Sequence, residues 1–362
     1  MNRMAMIRFG VACYLTLTAS AFARQSTGEN TLAWQYHPNR AGAEAYMQGG
    51  AYSAATGNLT SMLFNPAGLA QMPGRFSFML ETGWASRTDL FRFFNIDITT
   101  GFQPVQFAGL AFQPQRGFSL GAFFTQPTNY EVDLREIRTT ALTTTAAHAA
   151  DEPQQQRNEI AIGVAGATAV TPQLYFGGSV EWRRARMRND IAQAFVEGED
   201  AGLRFSLGVI ALVQQWQFGV SAQSRYEAAS ALPAVSSRFV REEPAAIRLG
   251  LTTPAILQRL HLSAETEYKN FDADVPIKKW QFYGGGKLAL SPGMQLGFGA
   301  FTFLKDYSAF IDGPESEIFL TTGATIRLSS FHISASYLDG DLLNKNFAGQ
   351  RFLNLALGYT IP

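Results

Sequence analysis

From Gly74 almost to the last residue, apolar and polar side chains alternate with a period of two, the pattern of strands that have one apolar and one polar face. In residues 75–84, Phe76, Phe78, Leu80, Thr82 and Trp84 share one face, and Ser77 and Glu81 lie on the other. Leu174, Phe176, Val180 and Trp182 alternate with Tyr175, Ser179, Glu181 and Arg183 in the same way. So do Phe331, Ile333, Ala335 and Tyr337 with His332, Ser334 and Ser336. The pattern predicts about fourteen strands.

The connections sharpen this reading. Tight turns near 113–116, 171–173, 214–215, 254–258, 291–293 and 329–330 alternate with long polar segments near 86–102, 127–157, 186–200, 228–243, 270–278, 305–317 and 339–350. One-sided long loops are the signature of outer-membrane barrels, whose periplasmic turns are short and whose extracellular loops are long. An even strand number then puts both chain ends on the periplasmic side. With that orientation, Trp84, Trp182, Tyr226, Tyr268, Trp280 and Tyr337 fall on the apolar face at the extracellular strand ends, and Trp216, Phe331 and Tyr359 at the opposite ends. Two aromatic girdles are what a bilayer-spanning barrel needs. A soluble sandwich or propeller also alternates, but it requires neither sorted girdles nor loops of two length classes.

Composition agrees. The 362 residues are 46% hydrophobic and only 16% charged, below the roughly 25% usual for soluble domains. Past the first few dozen residues no apolar run approaches the ~20 residues an α-helix needs to cross a bilayer. Arg3 and Arg8, an apolar segment to Leu17, and Ala21-Phe22-Ala23 read as a secretory signal over 1–23. Its removal takes Lys plus Arg from 29 to 27 against 29 acids, a mature charge of 27 − 29 = −2, and takes the single cysteine, Cys13. Neither nucleic acid nor an anionic surface is indicated as a partner.

One stretch breaks the period. Residues 40–69 are rich in Gly, Ala and Ser, carry Met62-Leu63-Phe64 as an apolar block, and end in the turn chemistry of Asn65-Pro66-Ala67-Gly68. The expectation is a compact plug ahead of the barrel: an arm and hatch over 24–72, then an all-β, fourteen-stranded antiparallel transmembrane barrel over 73–362.

The segments Arg40-Ala41-Gly42, Gly49-Gly50-Ala51 and Leu63-Phe64-Asn65-Pro66-Ala67-Gly68-Leu69, placed just before the first strand, resemble the N-terminal hatch of the FadL/TodX superfamily of outer-membrane transport proteins. The resemblance implies passive uptake of hydrophobic small molecules such as long-chain fatty acids, with lateral release through a gap in the barrel wall. It assigns Asn65, Pro66, Ala67 and Gly68 to the gating hatch. It also implies a site in the outer membrane of a Gram-negative bacterium, in contact with its lipids, and no enzymatic role. PorV-like members of the superfamily share the motif and act in protein secretion, so envelope proteins as partners stay open as the alternative.

The polar face predicts a lumen of mixed sign: Glu81, Glu181, Arg183, Arg204, Arg225, Glu265, Glu267, Lys269, Lys279, Lys287 and Arg327. Mixed signs suit ion pairs that brace a plug, whereas selective conduction calls for a single-sign ring. Candidates for contact with a hydrophobic ligand are Phe64, Leu110, Phe112, Phe123, Phe301 and Phe303, with Met79 beside them. Phe301 and Phe303 stand out because their strand is apolar on both faces at its upper end. Other chemistry is not supported. Ser119 in Gly117-Phe118-Ser119-Leu120-Gly121 sits inside an alternating strand, not at the strand-turn-helix elbow a nucleophile needs. Gly284-Gly285-Gly286-Lys287 lacks the first glycine and final hydroxyl of a phosphate loop. His37, His148, His261 and His332 have no metal-ligand spacing, so neither metal nor cofactor is expected.

Overall fold

The computed structural model describes residues 41–85, 88–91, 96–99, 102–133, 154–191, 194–231, 238–270, 280–305, 315–343 and 351–361. The expected signal segment, the arm before residue 41 and Lys279 lie outside them. Fourteen strands form the wall: β1 (Phe76–Ala85), β2 (Gln103–Gln115), β3 (Phe118–Asp133), β4 (Gln154–Thr171), β5 (Leu174–Ile191), β6 (Ala194–Val213), β7 (Trp216–Gln223), β8 (Ala245–Thr252), β9 (Leu260–Asn270), β10 (Trp280–Ser291), β11 (Met294–Lys305), β12 (Glu315–Leu328), β13 (Phe331–Asp339) and β14 (Arg351–Ile361). Each is antiparallel to its neighbours in chain order. β14 returns to β1, from Phe76 opposite Ile361 to Ala85 opposite Phe352, so the ring closes and leaves no free edge.

Alternation decides which way each side chain faces. In β1, Ser77, Met79 and Glu81 are buried inside while Phe78, Leu80 and Trp84 are exposed on the outer wall. Across the ladder, Leu110 faces Phe78 and Phe112 faces Phe76. Leu110 and Phe112 therefore stand outside, 45% and 49% exposed, which corrects the expectation that they line the lumen. The inward positions of β2 are Phe107 and Ala111. Trp84, Trp182, Trp280 and Tyr337 are exposed on the outer wall toward the long-loop end, and Trp216 and Phe331 toward the short-turn end, as a bilayer-spanning barrel requires. Tyr226 is the exception: it is buried against Gly202 and lies beneath the Arg183 guanidinium, so it belongs to the interior and not to the girdle.

Several segments expected to be loops are strand. β5 and β6 stay paired from Leu174–Ala211 out to Ile191–Ala194, so the 186–200 segment is a ribbon; charge complementarity there, with Arg184 Nη2 donating to Glu199 Oε2 at 2.6 Å, replaces the apolar alternation that marks membrane strands. Tyr226–Ala231 and Arg238–Glu243 form a separate hairpin. Thr88–Phe91 and Ile96–Thr99 form another, which extends β3.

Away from the tight turns, the ladders of the wall shift register in one stretch, β1 to β4. Gln126 and Pro127 in β3 oppose the single residue Ile160 in β4. Pro104, Val105 and Gln106 at the start of β2 oppose the single residue Thr82 in β1. Proline lacks the ladder donor and is tolerated in strands at such bulges. Hydroxyls take over part of the pairing: Thr82 Oγ1 donates to the Gln103 carbonyl at 2.8 Å and Thr125 Oγ1 to the Gln106 carbonyl at 2.9 Å.

Residues 41–72 form no strand. They fold as α1 (Ala43–Tyr46), α2 (Ser61–Phe64) and a 3₁₀ turn (Pro66–Gln71), joined by tight turns, and nearly all their side chains are buried. Gly49 and Gly50 adopt φ of 73° and 74°, a left-handed conformation that favours glycine and reverses the chain. The segment touches strands on every side of the ring, from Gly177 and Gly208 to Gly285 and Gly299, and so plugs the interior.

Candidate functional site

Asn65 anchors the plug. Its backbone is extended at the N-terminus of the 3₁₀ turn, its Oδ1 accepts from the Ala67 amide at 3.2 Å, and Pro66 follows at the first helical position, where its missing donor costs nothing. The other end of the same side chain donates to the Ser53 carbonyl at 2.6 Å and to the wall carbonyls of Val209 and Val220 at 3.2 and 3.3 Å. One buried amide thus caps a helix, ties two loops of the plug together and fixes the plug to β6 and β7. The wall is shaped to match: a Cβ at Gly208 would overlap Asn65 Oδ1, and one at Gly177 would overlap Pro66 and Ala67. Gly68 is held as tightly, since a Cβ there would come within 2.6 Å of Ser61 Oγ.

Carboxylates of the wall hold the rest of the plug. Glu81 accepts from the Gly42 and Ala43 amides at 2.8 and 3.1 Å, next to the irregular patch of β1, β2 and β3. Glu265 accepts from the Tyr52 and Ser53 amides at 2.8 and 2.7 Å. Its second oxygen meets Arg248 Nη1 at 3.1 Å, and Arg248 also donates to Glu267 Oε1 from Nη2 at 2.8 Å and from Nε at 3.0 Å. The Tyr283 hydroxyl donates to Glu267 at 2.6 Å. On the far side of the lumen, Arg183 bridges Glu159 at 3.1 Å and Glu181 at 2.8 Å. Arg204 pairs with Gln223, whose amide donates to the Leu63 carbonyl at 2.9 Å. Paired and hydrogen-bonded charges offset the cost of burial, and they brace the plug as the mixed-sign lumen predicts.

Arg248 was not among the expected lumen residues, although it is 1% exposed and central to the network. Its strand reads Ala245-Ala246-Ile247-Arg248-Leu249-Gly250-Leu251, and a single charge on the inward face of so short a strand is the signal that marks it.

The apolar candidates divide into separate places. Phe64 belongs to the plug's own core, edge-on to Tyr52 at 5.5 Å and beneath the Arg248 guanidinium at 5.4 Å. Phe123 stacks on Phe107 at 6.4 Å, in a cluster with Met62, Leu69 and Met79. Phe301 and Phe303 belong to a buried aromatic cluster on the long-loop side of the plug. There Phe301 stacks on Phe319 at 5.1 Å with their planes 6° apart and on Tyr283 at 5.8 Å, while Phe303 and Phe352 approach Phe319 at 6.0 and 6.1 Å. Tyr46 of α1 joins the cluster from the plug, 5.8 Å from Phe301. Phe319, Phe352 and Leu338 escaped the sequence reading because their strands alternate like all the others; only the register brings them beside Phe301. Among the described residues no cluster of His, Cys, Asp and Glu is arranged to hold a metal ion.

No protein-family model matches the sequence, and neither does any curated protein. Solved structures do match its shape. A toluene transporter of Ralstonia pickettii, TbuX, superposes with a TM-score of 0.66 over 90% of this chain and 100% of its own, at 12% identity. A toluene transporter of Pseudomonas putida, TodX, superposes with a TM-score of 0.65 over 90% of this chain and 99% of its own, at 13% identity. A FadL homologue of Pseudomonas aeruginosa gives 0.61 over 92% and 99%, also at 13% identity.

Proposed function

We propose that this chain, which has the fold of the FadL and TodX barrels, is a passive outer-membrane channel for hydrophobic small molecules, gated by its N-terminal plug. The observation that carries this reading is the buried aromatic cluster around Phe301 and Phe319, inside the barrel and packed against Tyr46 of the plug. Such a cluster, parted by movement of the plug, suits apolar compounds, from monoaromatics to the chains of fatty acids, because it offers rings for stacking at little polar desolvation cost. In this reading the exposed apolar wall sits in the outer membrane of a Gram-negative bacterium, the short-turn end faces the periplasm and the ribbon of β5 and β6 faces outward.

Plug movement is the gate. Asn65, Pro66 and Ala67 hold the plug against β5 and β6, Gly68 packs on Ser61 within the plug, and Glu81 holds its start beside the bulges of β1, β2 and β3. A shift of residues 41–47 away from Glu81 would open the lumen toward that stretch, where interrupted ladders make the wall easiest to part. The ligand then leaves sideways into the lipid.

The test is uptake of labelled toluene and labelled oleate by cells with and without the protein, together with Asn65→Ala and Pro66→Ala variants. Faster uptake with the protein, altered in the variants while the barrel still shows its folded gel migration, is the expected result. Unchanged uptake combined with co-purified secreted or envelope proteins overturns the channel reading in favour of a docking barrel.

A further inference from the structure

The plug divides the lumen into two sides of opposite character. On β10 and β11 the inward positions near the long-loop end carry Tyr283, Phe301 and Phe303, while those near the short-turn end carry Lys287 and Gln295. Between them lie Gly285, Gly297 and Gly299, against which the backbone of Met47, Gln48 and Gly49 packs. The plug sorts its own side chains in the same way: Tyr46 enters the aromatic cluster, and Gln48 faces the other side.

On that second side lies a half-open pocket of about 210 Å³ between the plug and the turn joining β8 to β9, with Gln258 and Arg259 exposed in its lining. Arg259, His261 and Lys287 contribute basic groups to it, Gln48, Thr56 and Gln295 contribute amides and a hydroxyl, and no carboxylate is among its lining residues. Glu44 of the plug lies 3.4 Å from Lys287 and 3.9 Å from Arg327. Among the described residues that line this pocket or pair with its lining, one carboxylate therefore meets the cations of Arg259, Lys287 and Arg327. His261 Nδ1 lies 3.1 Å from the Thr253 carbonyl, which orients the ring. The Oε1 of Gln295 is buried with no hydrogen-bond partner, an acceptor that a water or a hydroxyl of a ligand would satisfy by donating to it.

We propose that this pocket is an anion-binding site for an oxyanion group, a carboxylate or phosphate, distinct from the aromatic cluster. Excess positive charge in a polar pocket favours such a group, and hydrogen bonds to it are charge-assisted. The anion has two sources, the head of an amphiphile that enters the barrel or a free small ion. The first rests on the channel reading above; the second does not.

The test uses the purified full chain in detergent, titrated calorimetrically with decanoate, methyl decanoate and inorganic phosphate, beside Arg259→Gln and Arg259→Gln/His261→Gln variants. Lys287 is left in place because it pairs with Glu44. If a head group is the ligand, decanoate binds roughly tenfold tighter than its methyl ester, the worth of one hydrogen bond to a charged group, and both variants erase that preference without weakening the ester. If a free ion is the ligand, phosphate alone binds and the variants abolish it. An equal affinity for decanoate and its ester, with no phosphate binding, overturns the proposal. Failure of the channel reading looks different: the ester does not bind, while phosphate binding and its loss in the variants persist.

Discussion

Replacing Glu265 with glutamine should loosen the plug and leave the barrel standing. The carboxylate accepts the Tyr52 and Ser53 amides at 2.8 and 2.7 Å and Arg248 Nη1 at 3.1 Å, all on buried groups. A glutamine keeps the shape, but one of its two ends is a donor and must face an amide or the guanidinium. Hydrogen bonds to charged groups contribute about 1.5–3 kcal/mol each. Weakening two of the three while Glu267 retains Arg248 should cost the plug about 3 kcal/mol. At 1.4 kcal/mol per factor of ten, that raises the population of the released plug roughly 100-fold. The assay is the maleimide-labelling rate of an Ala54→Cys reporter in a Cys13→Ser background; Ala54 is 2% exposed, so labelling reports release. Folded gel migration should be unchanged. A rate within twofold of the parent would refute the claim that Glu265 is a plug anchor, and loss of the folded barrel would refute the claim that its role is local.

Further outcomes follow from the same geometry. Gly208→Ala forces a methyl against Asn65 Oδ1 and should cost about 1–3 kcal/mol of plug stability by overpacking, read by the same labelling assay. Phe319→Ala removes a fully buried ring from the centre of the aromatic cluster and should cost about 3–5 kcal/mol in urea unfolding while weakening toluene binding. Leu110→Arg on the outer wall should lower folding stability in lipid vesicles by up to about 2–4 kcal/mol with little effect on ligand affinity, because Leu110 stands on the outer face and away from the lumen. The Glu44 carboxyl is pushed up by burial but pulled further down by Lys287, Arg327, the Asn58 amide and His332, to a net position below its ordinary 4.5. A depressed carboxyl contributes stability that is full above 4.5 and is lost as the pH falls through its folded value, so reporter labelling should rise only on the acid side of that point.

The strand count, the tight turns and the break in the strand pattern over residues 41–72 were legible because each rests on local signals: period two, turn residues and a run of small side chains. What escaped depends on register. Leu110 and Phe112 share a strand with Phe107, and with apolar residues on both faces the sequence could not say which face looks inward; the pairing with β1, which sets Leu110 opposite the outward Phe78, decides it. Tyr226 matched the girdle in its position along the chain, but it follows Ser224 and Arg225, where the strand ends and the backbone turns its ring inside. The ribbon over 186–200 looked like a loop because ladders of Arg and Glu stabilise strands beyond the bilayer as well as apolar alternation does within it.

The glycines of the inner wall carry a consequence for how such a protein can change over time. Gly177, Gly208, Gly219 and Gly299 are contoured to one backbone, so the wall is a mould and the plug its casting. Neither half can drift alone: a side chain gained by the mould ejects the casting, and a casting borrowed from another barrel meets the wrong relief. The two are inherited as one shape, and the room for new ligand preferences lies where the mould is not in contact, among the rings above the plug and the polar groups below it.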